Sequence, residues 1–96
     1  MLATTKTFEL GNTIYFECLY RDLVGSPTDP ATPAWAITNI KGAVDSGTPT
    51  KRTTGIWYCF WIPDEVGDYI LTFTGNIDNY PVVMRRPFKV VETRIK

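Results

Sequence analysis

The side chains that most often do chemistry are scarce in this sequence. It has no histidine among 96 residues, so the usual general base near neutral pH is missing, and Ser-His-Asp and Cys-His machinery is excluded. The commonest metal ligand is missing with it. The two cysteines, Cys18 and Cys59, belong to no CxxC or other metal spacing. They read as two reduced, buried thiols acting as small hydrophobes, with a single disulfide as the alternative. Asp64, Glu65 and Asp68 are close in sequence, and Asp78 would join them if the loops brought it near. Such a set suits a hard cation such as calcium, but no EF-hand or other loop signature accompanies it, and a solvated turn is the simpler reading. Arg85, Arg86 and Lys89 in "MRRPFK", and the pair Lys51-Arg52, are placed to touch phosphates or to rim a protein contact. Ten basic residues balance ten acidic ones, so no global field draws the chain to nucleic acid or to an anionic membrane. The rim is the expected place for these charges. No nucleophile and base stand together in a recognisable motif, and the expectation is a non-enzyme with no cofactor and no metal.

The elements that must position these residues are strands. Alternation and turn signals recur about every ten residues, as in an all-β sandwich or barrel, and 96 residues fit one domain with one core. A first extended segment runs around Thr4 to Leu10. In "TIYFECLYRD", Ile14, Phe16, Cys18 and Tyr20 share an inward face, and Tyr15, Glu17, Leu19 and Arg21 share the other. "DLVGSPTDPATP" carries Pro27, Pro30 and Pro33, which break regular pairing and suit a crossing between sheets. "AWAITNIKG" places Trp35 and Ile37 on one face. The polar "AVDSGTPTKRTTG" holds a short edge strand guarded by Pro49 and its charges. "DEVGDYILTFTG" turns and sends Tyr69, Leu71 and Phe73 inward, and "VVMRRPFKVVE" closes the fold with a strand interrupted at Pro87. Seven segments emerge, with no internal repeat and no linker. The N-terminal "MLATTKTFELGNT" lacks a long apolar stretch, and nowhere do about 18 uncharged apolar residues run together. A soluble, unexported chain made in the cytoplasm, with no signal peptide and no membrane segment, is expected.

Two features carry a family resemblance. "EVGDY" resembles the corner of immunoglobulin-like domains in which a tyrosine hydroxyl bonds back to the corner backbone; Tyr69 would be that tyrosine. Leu71 stands where antibody domains place their second cysteine, so the antibody-type inter-sheet disulfide is not implied. The longer pattern, "FELGNTIYFECLYRDLVGSPTDP", "ITNIKGAV", "TGIWYCFWIP", "VGDYILTFTG" and "RRPFKVVE", looks like the small bacterial and phage immunoglobulin-like domains, in the style of the second macroglobulin domain, from Phe8 to Val91. The resemblance implies an immunoglobulin-like antiparallel β-sandwich of about seven strands spanning 1–96. Free-standing chains of this kind look like virion components of tailed phages, in the head, neck or tail. The implied partners are other virion proteins or copies of the chain itself.

The most apolar stretch is "GIWYCFWIP". If Trp57, Cys59 and Trp61 face the core, then Ile56, Tyr58, Phe60 and Ile62 face the other way. In the implied topology this strand lies beside the one from Tyr15 to Leu19, so Tyr15, Leu19, Tyr58 and Phe60 gather on one outer face. Arg85, Arg86 and Asp78 are expected at its polar rim. A two-sheet sandwich has no third layer to cover such a patch, on the order of several hundred Å². Either a protein partner covers it, or the N-terminal segment or the proline-rich loop folds across it. The expected core comprises Phe16, Cys18, Trp35, Ile37, Trp57, Trp61, Tyr69, Leu71, Phe73 and Phe88. A carbohydrate- or protein-surface-binding module is the alternative function, since aromatic faces stack on sugars, although a sandwich needs its tryptophans as core.

Overall fold

The alternation of "TIYFECLYRD" becomes one strand of a two-sheet β-sandwich in the computed structural model, which describes residues 6–92. The strands are β1 (Lys6–Glu9), β2 (Ile14–Leu19), β3 (Ala31–Asn39), β4 (Gly42–Gly47), β5 (Thr50–Thr53), β6 (Ile56–Trp61), β7 (Gly67–Ile77) and β8 (Tyr80–Val91). One sheet has five strands in the order β1-β8-β7-β3-β4, and the other has three in the order β2-β6-β5. In the lettering of immunoglobulin-type sandwiches this is B-E-D facing G-F-C with one further strand beside C. Every pairing is antiparallel except β1 with β8, which is parallel. The first strand therefore lies beside the last and not beside β2.

Both sheets turn one face inward. Ile14, Phe16, Cys18, Cys59 and Trp61 come from the small sheet, and Ile37, Tyr69, Leu71, Phe73, Ile77, Phe88 and Val90 from the large one. Phe88 is the hub of the aromatic packing, stacked on Tyr69 at 5.4 Å and meeting Phe16, Phe8 and Trp61 at 5.0 to 5.8 Å. The Tyr69 hydroxyl donates to the Glu65 carbonyl at 2.8 Å, which is the corner bond expected from "EVGDY". The β7–β8 hairpin turns on Asp78 and Asn79, both with positive φ (52° and 68°), the signature of a two-residue type I′ turn whose twist matches that of the strands.

Several expectations change. There are eight strands among the described residues, because "AVDSGTPTKRTTG" makes two edge strands, not one. β4 borders the five-stranded sheet and β5 the three-stranded sheet, with Pro49 in the crossing between them. The first strand is shorter than Thr4 to Leu10, and Thr4 lies outside the described residues. Pro33 does not end regular pairing. It sits within β3, where the register slips between Ala31 and Ala34 and Thr32 takes a φ of 48°; such a bulge absorbs the missing donor. Pro87 does not interrupt β8. Pro81 and Pro87 have the same parity along the strand, so neither needs a donor toward β7 if that parity points away from it. β1 begins its pairing only at Phe88. Trp35 and Trp57 pack against the core but are only half-buried, because each is paired with a short edge strand, β4 at Gly47 and β5 at Lys51.

Candidate functional site

The outer face of the three-stranded sheet carries the apolar side chains expected there. In the β2–β6 ladder Tyr15 stands opposite Phe60, Glu17 opposite Tyr58 and Leu19 opposite Ile56. The rings of Tyr15, Tyr58 and Phe60 form a closed triangle with centroid separations of 5.4, 5.4 and 5.6 Å. Cross-strand aromatic neighbours at this spacing support the sheet and one another. Phe60 is 58% exposed and Tyr15 44%, while Tyr58 is half-buried; Leu19, also half-buried, lies further along the same face opposite Ile56 and outside the triangle. Ile62, just past the strand, extends the patch.

A polar seam crosses the cluster. The Tyr15 hydroxyl donates to Glu17 Oε2 at 2.6 Å, and Arg52 Nη1 on β5 donates to the same oxygen at 2.6 Å. These bonds, that from Tyr15 first, hold the Glu17 carboxyl below the usual carboxylate range, and Glu17 in turn pushes the Tyr15 phenol up. Glu17 and Arg52 are the functional polar residues that the pattern did not single out. Glu17 was the one acid among the outward residues of its strand, which was the available signal; that Arg52 would reach it across β6 depended on the pairing of β5.

Arg85, Arg86 and Asp78 are not the rim of this cluster. The two arginines lie on β8 in the opposite sheet, and Asp78 occupies the β7–β8 turn. Arg85 stands opposite Thr72, and Arg86 is close enough to Cys18 to favour its thiolate. The cluster is rimmed by Glu17 and Arg52 instead.

Among the described residues neither the proline-rich loop nor the N-terminal strand folds across the face; residues 1–5 of the N-terminal segment lie outside them. β1 runs along β8 in the other sheet and sends Phe8 inward against Phe16 and Phe88. The proline-rich connection is pinned at the far side of β6. There Asp29 accepts from the Gly55 amide at 2.8 Å, from Lys51 Nζ at 2.6 Å and from Trp57 Nε1 at 3.3 Å. These bonds, led by that from Gly55, lower the Asp29 carboxyl.

Cys18 and Cys59 are free and buried on neighbouring strands, two residues out of opposition: Cys18 faces Trp57 and Cys59 faces Phe16. Burial pushes the thiols up to about 11 and about 12 respectively. The acidic turn is tied down locally, with the Glu65 carbonyl taken by Tyr69 and Asp68 3.8 Å from Lys89 Nζ. Among the described residues no group of three or more His, Cys, Asp or Glu side chains is placed to hold a metal ion. No helix among them is long and apolar enough to cross a membrane.

Fold and face together define a two-sheet β-sandwich with an exposed aromatic cluster on its smaller sheet. The chain matches no protein-family model, no curated protein and no solved structure.

Proposed function

We propose that this protein is a non-catalytic structural subunit that docks onto neighbouring protein subunits through the outer face of its three-stranded sheet. The observation that carries this reading is the triangle of Tyr15, Tyr58 and Phe60, with Tyr15 and Phe60 exposed and Tyr58 half-buried, on a face that no other described part of the chain covers. Tyrosine-rich clusters of this kind anchor protein contacts, because each ring buries a large area at the cost of few rotatable bonds. Removing apolar area from water contributes about 25 cal/mol per Å² before association costs. The Glu17–Arg52 ion pair at the margin would exclude water from such an anchor. The two thiols are turned into the core with their ionisation suppressed, which supports a scaffold rather than a nucleophile. The rings also meet at 31°, 58° and 77°, so they make a faceted surface to fit a protein groove and not a coplanar platform for a sugar.

The assembly to which the sequence resemblance points is a tailed-phage particle, where the neighbours would be other virion proteins or further copies of the chain. Light scattering after size exclusion, over a concentration series and with candidate neighbours added, tests the docking. Association that is lost in the Tyr58→Ser/Phe60→Ser variant supports it; undiminished association in that variant overturns the face. Mass spectrometry of purified particles tests the location, and stoichiometric recovery of the chain is expected.

A further inference from the structure

The sandwich has an unguarded edge. Among the described residues β2 is the last strand of its sheet and pairs with β6 alone, because β1 has joined the other sheet. The Tyr20 amide donates to the Gly55 carbonyl at 2.7 Å, continuing the β2–β6 register by one step. In an antiparallel ladder, residues alternate between those that bond to the partner and those that point away. Counting back from Tyr20, the residues bonded to β6 are Cys18, Phe16 and Ile14. The amides and carbonyls of Tyr15, Glu17 and Leu19 therefore point outward, where no strand pairs with β2 among the described residues; Arg21 bridges Pro27, but the bonds of that bridge fall on its neighbours, Thr28 N to the Tyr20 carbonyl and Asp22 N to the Ser26 carbonyl, so Arg21 shares the outward parity.

Edge strands are normally blunted by prolines, lysines, bulges or shortness. The other edges of this molecule follow that rule. β5 is four residues long, carries Lys51 and Arg52, and has a bulge; β4 contains two glycines and Asp45 and is bulged at Val44; β1 is four residues long and begins with Lys6. β2 reads Ile-Tyr-Phe-Glu-Cys-Leu, six residues with no proline, lysine, glycine or register shift. Its one charge, Glu17, is drawn across β6 to Arg52, away from the open side.

We infer that this edge pairs with the β2 edge of a second copy of the chain, antiparallel about a two-fold axis, to make a continuous six-stranded sheet. The inference rests on the docking reading above and names the occupant. The two-fold matches a strand to itself, the simplest closed symmetry, and a formal net charge of zero sets no long-range repulsion between copies. The outward groups must oppose one another, which admits registers centred on Phe16, Glu17, Cys18 or Leu19. The Glu17-centred register sets two carboxylates face to face, which is destabilising. Only the Cys18-centred register pairs all four outward residues of each copy, Tyr15 with the second copy's Arg21 and Glu17 with its Leu19, so the number of ladder bonds selects it, with Glu17 diagonal to that same arginine. In this register the Tyr15 residues of the two copies lie six positions apart along the strands, so the two aromatic clusters flank the new pairing on the same outer face of the sheet.

The test combines solution mass with hydrogen exchange on the full chain. The mass should rise with concentration from one chain to two. The amides of Tyr15, Glu17, Leu19 and Arg21 should exchange freely in dilute protein and become protected in the dimer. Leu19→Pro removes an outward donor without touching the β6 ladder and should weaken dimerisation about tenfold or more. Leu19→Lys, which keeps the backbone intact and adds an edge charge, should act in the same direction and serves if the proline variant fails to fold. A dimer that persists in both variants, with those amides still exchanging freely, overturns edge pairing; its loss in Tyr58→Ser/Phe60→Ser would leave face docking standing. A monomer at every concentration also overturns the inference, and protection of those amides only when a different protein is added would give the edge to that protein's strand.

Discussion

The Tyr20 hydroxyl donates to the Thr74 carbonyl at 2.7 Å across the gap between the two sheets. Tyr20 follows β2 directly, Thr74 lies in β7, and the tyrosine has no exposed surface. A buried phenol without a partner would be costly, so this bond fixes how the small sheet sits over the large one. Tyr20→Phe keeps the ring and removes the donor, so the part-buried Thr74 carbonyl loses this partner. The expected cost is about 1–3 kcal/mol, read as a lower urea midpoint with an unchanged slope.

Gly75 adjoins the same bond. A Cβ at this position would lie 2.7 Å from Pro30 Cβ and 3.3 Å from Tyr20 Cε1, so the glycine is required by close approach and not by its backbone angles. Gly75→Ala forces the proline-rich connection away from β7. Overpacking of this kind costs about 1–3 kcal/mol, and thermal unfolding should show the loss. Full stability in the alanine variant would mean that the connection can shift freely.

Much of this architecture was legible because strand parity is a local property. Tyr15, Glu17 and Leu19 were placed opposite to Phe16 and Cys18 by alternation alone, and "EVGDY" announced the Tyr69 bond to Glu65. Whatever depended on a partner strand was less legible. Pro33 and Pro87 read as breaks, but one falls at a bulge and the other lies in an unbroken β8 before β1 takes up its pairing. Trp35 and Trp57 have core-facing parity yet stay half-buried, since each lies beside a short edge strand that the sequence did not resolve into two. Arg85 and Arg86 looked like rim residues because they are charged and clustered; the sheet to which their strand belongs decides otherwise.

The thiols give a prediction with a defined pH window. Cys18 and Cys59 ionise near 9 when unperturbed, and burial raises them to about 11 and about 12 in the folded chain. Above pH 9 the unfolded chain releases these protons and the folded chain keeps them, so stability falls as pH rises through this range. Replacing both with serine should flatten that alkaline limb. At pH 8 a thiol reagent such as Ellman's should leave the native protein unlabelled and react with two thiols after unfolding in urea; rapid labelling of the native chain would contradict their burial.

Two carboxylates act in the opposite direction. Glu17, bonded by Tyr15 and Arg52, and Asp29, bonded by Gly55 and Lys51, both ionise more readily in the folded chain than the usual 4.5 and 3.8. Their contribution is fully present above those ordinary values and is lost as pH falls through the lower folded ones. The melting temperature should therefore decline below about pH 4.5, and Asp29→Asn should make that decline shallower. Because both carboxylates are solvent-accessible, the Glu17–Arg52 pair itself should contribute little: Arg52→Ala should leave the urea midpoint at pH 7 nearly unchanged.

The aromatic face makes the last prediction, since its rings can be removed without opening the core. Tyr15, Tyr58 and Phe60 touch one another on the outer side of β2 and β6, while the inner side of the same strands is filled by Phe16, Cys18, Cys59 and Trp61. Cross-strand pairs of this kind contribute about 0.2–1 kcal/mol each, against about 3–5 kcal/mol for truncating a buried aromatic. Tyr58→Ser/Phe60→Ser should therefore lower stability by about 1–2 kcal/mol, well short of the loss in a Trp61→Ser comparison. Chemical denaturation of the two variants separates these cases. A folded double variant that no longer associates assigns the rings to docking, and one that unfolds as Trp61→Ser does would make them structural.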